Sequence, residues 1–514
     1  MNRHWLLASL VLAASCGSEH DAPDEQEPPT KETIAAPALP SILGDIRISV
    51  GQDTLESIES GILIEGKISG YYGLEGTFRW ALAPDGRFAQ EIASDIGERF
   101  GFDGETAWAV DRTGMPRRIG PAEGIQILQW ALARRWLQPK GPFDVRQLEA
   151  SANHDAVGLS LWLRGEDAGL YVLIDPATWL PTLIATPSRA FLLQDYREVL
   201  GLRWPYRMIE RGTFGERLYE VQSVVEVEGD AEIFERVTRR PSDTHFDGSR
   251  KAEVLRRESL LLVRARLDEG PEGWFLLDSG SANLGVRRSL ADSLEMPFVG
   301  RSTTGAASGR FQSALRRGKS LQVGPMTLQR PLFSEMDLDA LSARFGVELA
   351  GILGYPFLSR AVVGLPGGPA LEIQDPGSYR PDPGIRWQDM HMAGTLPAVP
   401  CRFEGHAAEL FFVDTGASDT LFHAWAVQRF DLLKDRPVQP IEADALGGVA
   451  SLLVGRIQSF ELFGHRFENQ PVLFQTQTPA SILNAAAGTI GWRFLNRFEV
   501  VFDHSRERIG FRER

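Results

Sequence analysis

The sequence predicts a mainly β protein, built from an antiparallel amino-terminal region and two copies of one β lobe. Three observations predict it. Residues 41–238 run as short apolar segments punctuated by Gly, Pro-Asp and Asp-Gly. An apolar run ends in Asp-(Ser/Thr)-Gly at Phe275-Leu276-Leu277-Asp278-Ser279-Gly280-Ser281 and again at Phe411-Phe412-Val413-Asp414-Thr415-Gly416-Ala417. Downstream of each stands an apolar-Gly landmark, Gly351-Ile352-Leu353-Gly354 and Gly488-Thr489-Ile490-Gly491, with 76 residues from Asp278 to Gly354 and 77 from Asp414 to Gly491. A lone Asp-Ser-Gly or Asp-Thr-Gly is an ordinary turn, in which Gly supplies a positive φ and Asp bonds its own backbone. Here the surroundings repeat as well: Leu260 to Leu277 answers Leu396 to Val413, and Gly305 to Phe333 answers Gly447 to Phe474. Chance turns do not duplicate their neighbourhoods, so a unit of roughly 120 residues is duplicated.

Taken in order, the chain opens with Arg3 and His4, an apolar stretch from Trp5 to Ala14 and small residues before Cys16. Residues 1–15 therefore read as a signal peptide, too short to span a membrane. Leu12-Ala13-Ala14-Ser15-Cys16 resembles the bacterial lipoprotein processing site, with the usual Leu one position early. The resemblance implies that Cys16 becomes a lipidated first residue anchoring the chain in the cell envelope, and Gly17 after it implies the outer membrane. The alternative is an ordinary cleaved signal with an incidental Cys. Residues 16–40, rich in Glu, Asp, Pro and Ser, read as a disordered tether. With Cys16 consumed, Cys401 is the one remaining thiol and no intrachain disulfide forms, so the fold relies on its core. Cys401 lies on a predicted strand and reads as a small buried apolar residue. The net charge of -14 and the lack of basic clusters argue against nucleic acid.

Within residues 41–238, strands are predicted at Ile46–Val50, Ile62–Ser69, Tyr71–Ala83, Arg87–Ile96, Thr106–Asp111, Val157–Arg164, Leu170–Asp175, Leu202–Glu210 and Leu218–Val227. A helix is predicted at Pro121–Leu137, opened by Pro and carrying Ile125, Leu128, Trp130, Ala131 and Trp136. No metal cluster, phosphate loop or nucleophile motif occurs here, and no cofactor is expected. Phe102-Asp103-Gly104-Glu105-Thr106-Ala107-Trp108, Leu173 to Pro181 and Gly201-Leu202-Arg203-Trp204-Pro205 resemble landmarks of bacterial lipoprotein-carrier-like half-barrels. That resemblance implies a curved antiparallel sheet whose concave face takes an apolar ligand. Trp80, Trp108, Trp130 and Trp136 either line that face or fill the core, and filling the core is the simpler reading. Residues 239–251 read as a polar linker.

From about residue 252 onward the ordered motifs resemble those of retropepsin-like aspartic peptidases in their bacterial form. The resemblance implies two acid-protease lobes, 252–376 and 385–514, each giving one Asp. Both lie on one chain with about ten residues between them, which implies a pepsin-like pseudo-dimer formed within a monomer. Asp278 and Asp414 are the implied catalytic pair and a polypeptide the implied substrate. Two facing carboxylates about 3 Å apart cannot both ionise, so one activates water while the other polarises the amide carbonyl. Ser279 and Thr415 would brace the two loops across the lobe interface, and Gly280 and Gly416 would let the backbones approach. Ser281 can donate to its carboxylate where Ala417 cannot, which predicts Asp278 as the more readily ionised member. Gly305, Gly309, Gly447 and Gly448 are flap candidates, with ordinary hairpin glycines as the equal alternative. The flaps lack the Tyr of pepsin-like enzymes, and Pro356 and Arg493 stand at a position often acidic in the family. His423, close to the second motif, reads as a surface or helix-start residue. The rival reading is a non-catalytic envelope lipoprotein that holds peptides, lipids or lipoproteins without cutting.

Overall fold

A computed structural model describes residues 39–70, 73–119, 143–148, 156–163, 169–186, 189–212, 215–229, 231–257, 260–306, 309–445, 448–477 and 485–514. The helix predicted at 121–137, with Trp130 and Trp136, lies outside them, as do Cys16 and Gly447. The architecture is mainly β, as the repeats and apolar runs predict, and divides into two compact units. The first comprises the described residues up to Glu59 and those from Arg135 to Leu218. In it the strands Phe143–Gln147, Val157–Leu163, Gly169–Ile174, Pro181–Ala185, Arg189–Val199 and Leu202–Gly212 form an antiparallel meander. The helix Leu39–Val50 replaces the strand predicted at Ile46–Val50. Alternation of Ile46, Ile48 and Val50 suggested period two, but the buried pair is Ile42 and Ile46, one helical turn apart, and Ile48 is 80% exposed. Arg47 ties the helix to Glu56 of the following turn at 3.0 Å.

The second unit runs from Ser60 to Arg134 and from Tyr219 to the chain end. Its amino-terminal part is another meander, Gly61–Gly70, Leu74–Leu82, Phe88–Ala93, Glu98–Phe102, Ala107–Val110 and Pro116–Arg118. Trp80 packs against Phe78 and Tyr219 with ring centroids 5.3 and 5.1 Å apart, and Trp108 is wholly buried among Leu63, Ala81, Ala89 and Phe234. For these two residues, filling the core is what the packing shows.

The duplicated lobes follow. In the first, Glu272–Leu277 pairs in parallel with Leu349–Leu353, and Leu284–Arg287 lies antiparallel on the far side. In the second, Glu409–Val413 pairs in parallel with Gly488–Ile490, flanked by Leu421–Phe422. Three strands from each lobe build one further sheet in the order Lys251–Arg257, Ala370–Gln374, Val362–Leu365, Phe498–Asp503, Arg508–Glu513, Arg386–Asp389. Its central ladder, Val362↔Asp503 to Leu365↔Val500, joins lobe to lobe by backbone hydrogen bonds and carries a single core beneath it. Residues 239–251 are not the free linker that their polarity predicts. Thr244–Phe246 pairs with Met326–Gln329, and the buried Arg360 guanidinium grips Asp243 at 2.6 and 3.0 Å while donating to the Thr113 and Pro356 carbonyls. Polar residues can be pinned by one well-satisfied buried cation, which composition does not reveal.

Candidate active site

Each Asp stands one residue beyond a buried strand, and each donates its backbone N–H across the parallel ladder. Asp278 N–H donates to the Leu353 carbonyl and Asp414 N–H to the Ile490 carbonyl, both at 3.0 Å. The glycine that ends each downstream strand closes the loop from behind. A Cβ on Gly354 would stand 2.2 Å from the Asn283 carbonyl, and one on Gly491 2.4 Å from the Asp419 carbonyl, so only glycine lets these segments meet. Asn283 and Asp419 each lie five residues after their Asp, a signal present in the repeat but meaningless until the loops are folded.

Four buried hydrogen bonds join the two loops. Ser279 N–H donates to Thr415 Oγ1 at 3.0 Å, and Thr415 N–H donates to Ser279 Oγ at 3.0 Å. Each hydroxyl in turn donates a hydrogen bond to the other lobe's strand, Ser279 Oγ to the Val413 carbonyl at 2.7 Å and Thr415 Oγ1 to the Leu277 carbonyl at 2.8 Å. Ser279 and Thr415 are 1% and 0% exposed, so every one of these groups depends on the other lobe for its partner. The receiving carbonyls of Leu277 and Val413 carry no side-chain signature, and sequence reading does not find them.

This lattice brings the carboxyls face to face. A Cβ on Gly280 would lie 2.4 Å from Asp414 Cγ, and one on Gly416 would lie 2.4 Å from Asp278 Cγ. Each glycine thus leaves room for the opposite carboxylate, and the two carboxyls hydrogen-bond one another. Both are half-buried. Desolvation comes first in holding Asp278 well above the usual carboxylate range, followed by the Asp414 charge and their shared hydrogen bond. Burial also raises Asp414, but the bond it accepts from Asp278 and the N–H groups of Gly416 and Ala417, at 2.8 and 3.2 Å, pull it back. The two carboxyls therefore titrate as one pair, which keeps a proton to higher pH than a lone Asp would.

The hydrogen bond from Ser281 to Asp278, on which the expected order of ionisation rested, does not form. The Ser281 hydroxyl donates to the Asn283 carbonyl at 3.0 Å instead of to Asp278, whose Oδ1 accepts the Gly280 N–H at 2.9 Å. A hydroxyl two residues from a free carbonyl closes a local turn, and that local bond wins over the carboxylate.

The other candidates fall as follows. Gly305 and Gly309 sit near the end of the hairpin Phe298–Ala306 and Gly309–Arg317, in the register Gly305↔Arg310 and Ala306↔Gly309. Gly448 opens the strand Gly448–Leu462 opposite Ala445. His423 precedes the helix Ala424–Arg429, as a helix-start residue should, but is 1% exposed and not on the surface. Its ring nitrogens meet the Ala486 carbonyl at 2.9 Å and Thr489 Oγ1 at 3.0 Å. Cys401 is buried, and burial pushes its thiol well up, away from reactivity. Arg493 pairs with Asp419 at 3.0 Å, and Pro356 lies in the first turn of the buried helix Tyr355–Leu358. Among the described residues no cluster of three His, Cys, Asp or Glu could hold a metal ion, and no helix is long and apolar enough to cross a membrane.

Residues 263–357 and 399–492 each match the family model described as aspartyl protease, one match over each lobe. Comparison with curated proteins finds no match.

Proposed function

We propose that the chain is an aspartic endopeptidase, with Asp278 and Asp414 as one catalytic pair shared between its tandem aspartyl-protease lobes. The observation that carries this reading is the set of four buried hydrogen bonds that braces the two loops and sets the Asp278 and Asp414 carboxyls face to face across Gly280 and Gly416. In this mechanism Asp414, ionised, takes a proton from a water lying between the carboxyls as that water attacks the amide carbon. Asp278, protonated, donates a hydrogen bond to the amide oxygen as charge develops there. The water proton then passes to the departing amine. Ser279 and Thr415 position the loops, while Gly280, Gly416, Ser281 and Ala417 shape them. Activity follows a bell in pH, bounded below by protonation of Asp414 and above by ionisation of Asp278.

The reading extends to a chain anchored by lipid at Cys16 in the bacterial envelope, facing outward from a tether of residues 16–40. Residues 41–238 would serve as a lipoprotein-carrier-like module for an apolar ligand. The apolar segment before Cys16 and the acidic, Pro-rich stretch after it support the anchor. Release of the Cys16→Ser chain from the membrane fraction would test it.

The peptidase reading is tested by peptide cleavage over a broad pH range with Asp278→Asn and Asp414→Asn. Each substitution alone should lower kcat by roughly 10²–10⁴ in the monomer, because each removes one of the two carboxyls that the step uses. A wild-type chain that retains peptides and cuts none of a diverse pool would replace this reading with the binding one.

A further inference from the structure

A second site lies in the same compact unit, on residues that the peptide chemistry does not use. A cavity of about 390 Å³ is lined by the edge strand Pro116–Arg118, the segment 236–240, Tyr355 and Ser359 of the first lobe, Met392, and the turn 504–507 of the lobe-joining sheet. Small-molecule sites run from roughly 300 to 1,000 Å³, so the space accommodates a ligand of modest size. Five arginines line it, Arg117, Arg118, Arg236, Arg240 and Arg506, against one carboxylate, Glu507. In a chain of net charge -14 this is a marked local reversal of sign.

Three of them, Arg118, Arg236 and Arg240, have no carboxylate at ion-pair distance among the described residues. Arg506 is tied to Asp503 at 3.1 Å and to the Pro376 carbonyl at 3.2 Å. Arg240 donates to the Ser359 carbonyl but has no carboxylate within ion-pair distance among the described residues. Burial holds its pKa below the usual guanidinium value, with Tyr355 and the more distant Asp503 and Asp243 pulling the other way and the Arg360 charge adding to the fall. Arg118 and Arg236 make no ion pair or side-chain hydrogen bond among the described residues. On the cavity wall, His504 Nε2 is a buried nitrogen with no hydrogen-bond partner, its ring edge-on to Tyr355 at 5.6 Å. Arg118, Arg236 and Arg240 face one cavity beside an unsatisfied ring nitrogen, and an anion entering it relieves the mutual repulsion of their charges.

We propose that this cavity binds a phosphate-bearing anion, a phosphomonoester carried by a small molecule or by a lipid headgroup. A single carboxylate is saturated by one guanidinium fork, whereas a phosphate offers oxygens in several directions and close to two charges, which suits several arginines at once. Arg118 and Arg236 supply the outer contacts and Arg240 the inner one, with His504 Nε2 as a further polar neighbour. The site stands independently of peptide cleavage.

The test uses the full chain, with calorimetric titration and thermal unfolding in inorganic phosphate and in glycerol 3-phosphate at low ionic strength, against chloride at matched ionic strength. Vesicles of phosphatidate and of phosphatidylcholine form the second arm. Phosphate compounds should raise the unfolding temperature where chloride does not, and Arg118→Gln and Arg236→Gln should each weaken binding at least tenfold. Both residues lie outside the core, and each variant's unfolding temperature without anion reports whether it still folds. Binding of glycerol 3-phosphate alone identifies a free phosphomonoester. A preference for phosphatidate vesicles that both substitutions abolish identifies a headgroup. If no phosphate compound or vesicle distinguishes the wild type from either variant, the proposal is overturned.

Discussion

The first lobe packs aliphatic side chains at positions where the second packs phenylalanine. Eleven residues before each Asp stand Leu267 and Phe403, and eight residues after stand Val286 and Phe422, all essentially without exposure. Phe403 meets Phe411 and Phe422 edge-on, with ring centroids 5.9 and 5.1 Å apart, and Phe411 meets Phe460 at 5.4 Å. The backbone ladders around the two Asp residues are nevertheless equivalent. Strand pairing and the glycine contacts fix the loop, while the core behind it needs only the right volume. The same comparison at the carboxyls gives a different lesson. There the loops are near copies, yet Ser281 has no counterpart hydroxyl at Ala417 and turns to the Asn283 carbonyl.

The largest stability effects should come from the cores. Phe422→Ala is expected to cost about 3–5 kcal/mol, as for buried aromatic truncations generally. Val286→Ala at the matching position should cost about 2 kcal/mol. Denaturant midpoints of the two variants measure the difference, and equal losses would mean that the aromatic cluster adds nothing beyond volume. Next comes the brace between lobes. Thr415→Val keeps the shape but leaves the Ser279 N–H and the Leu277 carbonyl unsatisfied, an expected loss of about 2–4 kcal/mol at about 1–2 kcal/mol for each stranded group. Thr415→Ser should restore most of it, and a valine variant as stable as wild type would show that the brace is not structural.

The pair of carboxyls makes a signed prediction. Asp278 in the native state holds its proton above the pH at which an unfolded Asp, near 3.9, has lost it. The native state then binds more protons, so this contribution is complete below the unfolded value and is lost as pH rises through the raised native one. Asp278→Asn should remove that downward slope in unfolding temperature against pH. A slope identical to wild type would place the retained proton elsewhere. The smallest effect should be that of Ser281→Ala on the acidic limb of the pH profile. Its hydroxyl serves Asn283 and not the carboxylate, so the limb is expected to stay where it is. Movement of the limb would return Ser281 to the carboxylate and restore the opposite order of ionisation.

Much of this site was legible because duplication writes the same landmark twice. The glycines at 354 and 491 and the closing strands at 370–374 and 508–513 follow their Asp-(Ser/Thr)-Gly turns at offsets that agree to within about two residues. Less legible were short segments whose local pattern suits two states, such as Ile46–Val50, where packing of Ile42 and Ile46 chose the helix.

By itself the sequence determined the class of fold, the lobe duplication and the identity of the two facing carboxyls, because apolar periodicity and repeat spacing are local properties of the chain. Only the tertiary structure decided that Ser281 turns away, that residues 239–251 are pinned by Arg360, and that arginines separated by hundreds of positions share one cavity. Those outcomes depend on distances between groups remote in the chain. Electrostatic and hydrogen-bond energies change steeply over a few ångströms that no spacing in the sequence encodes.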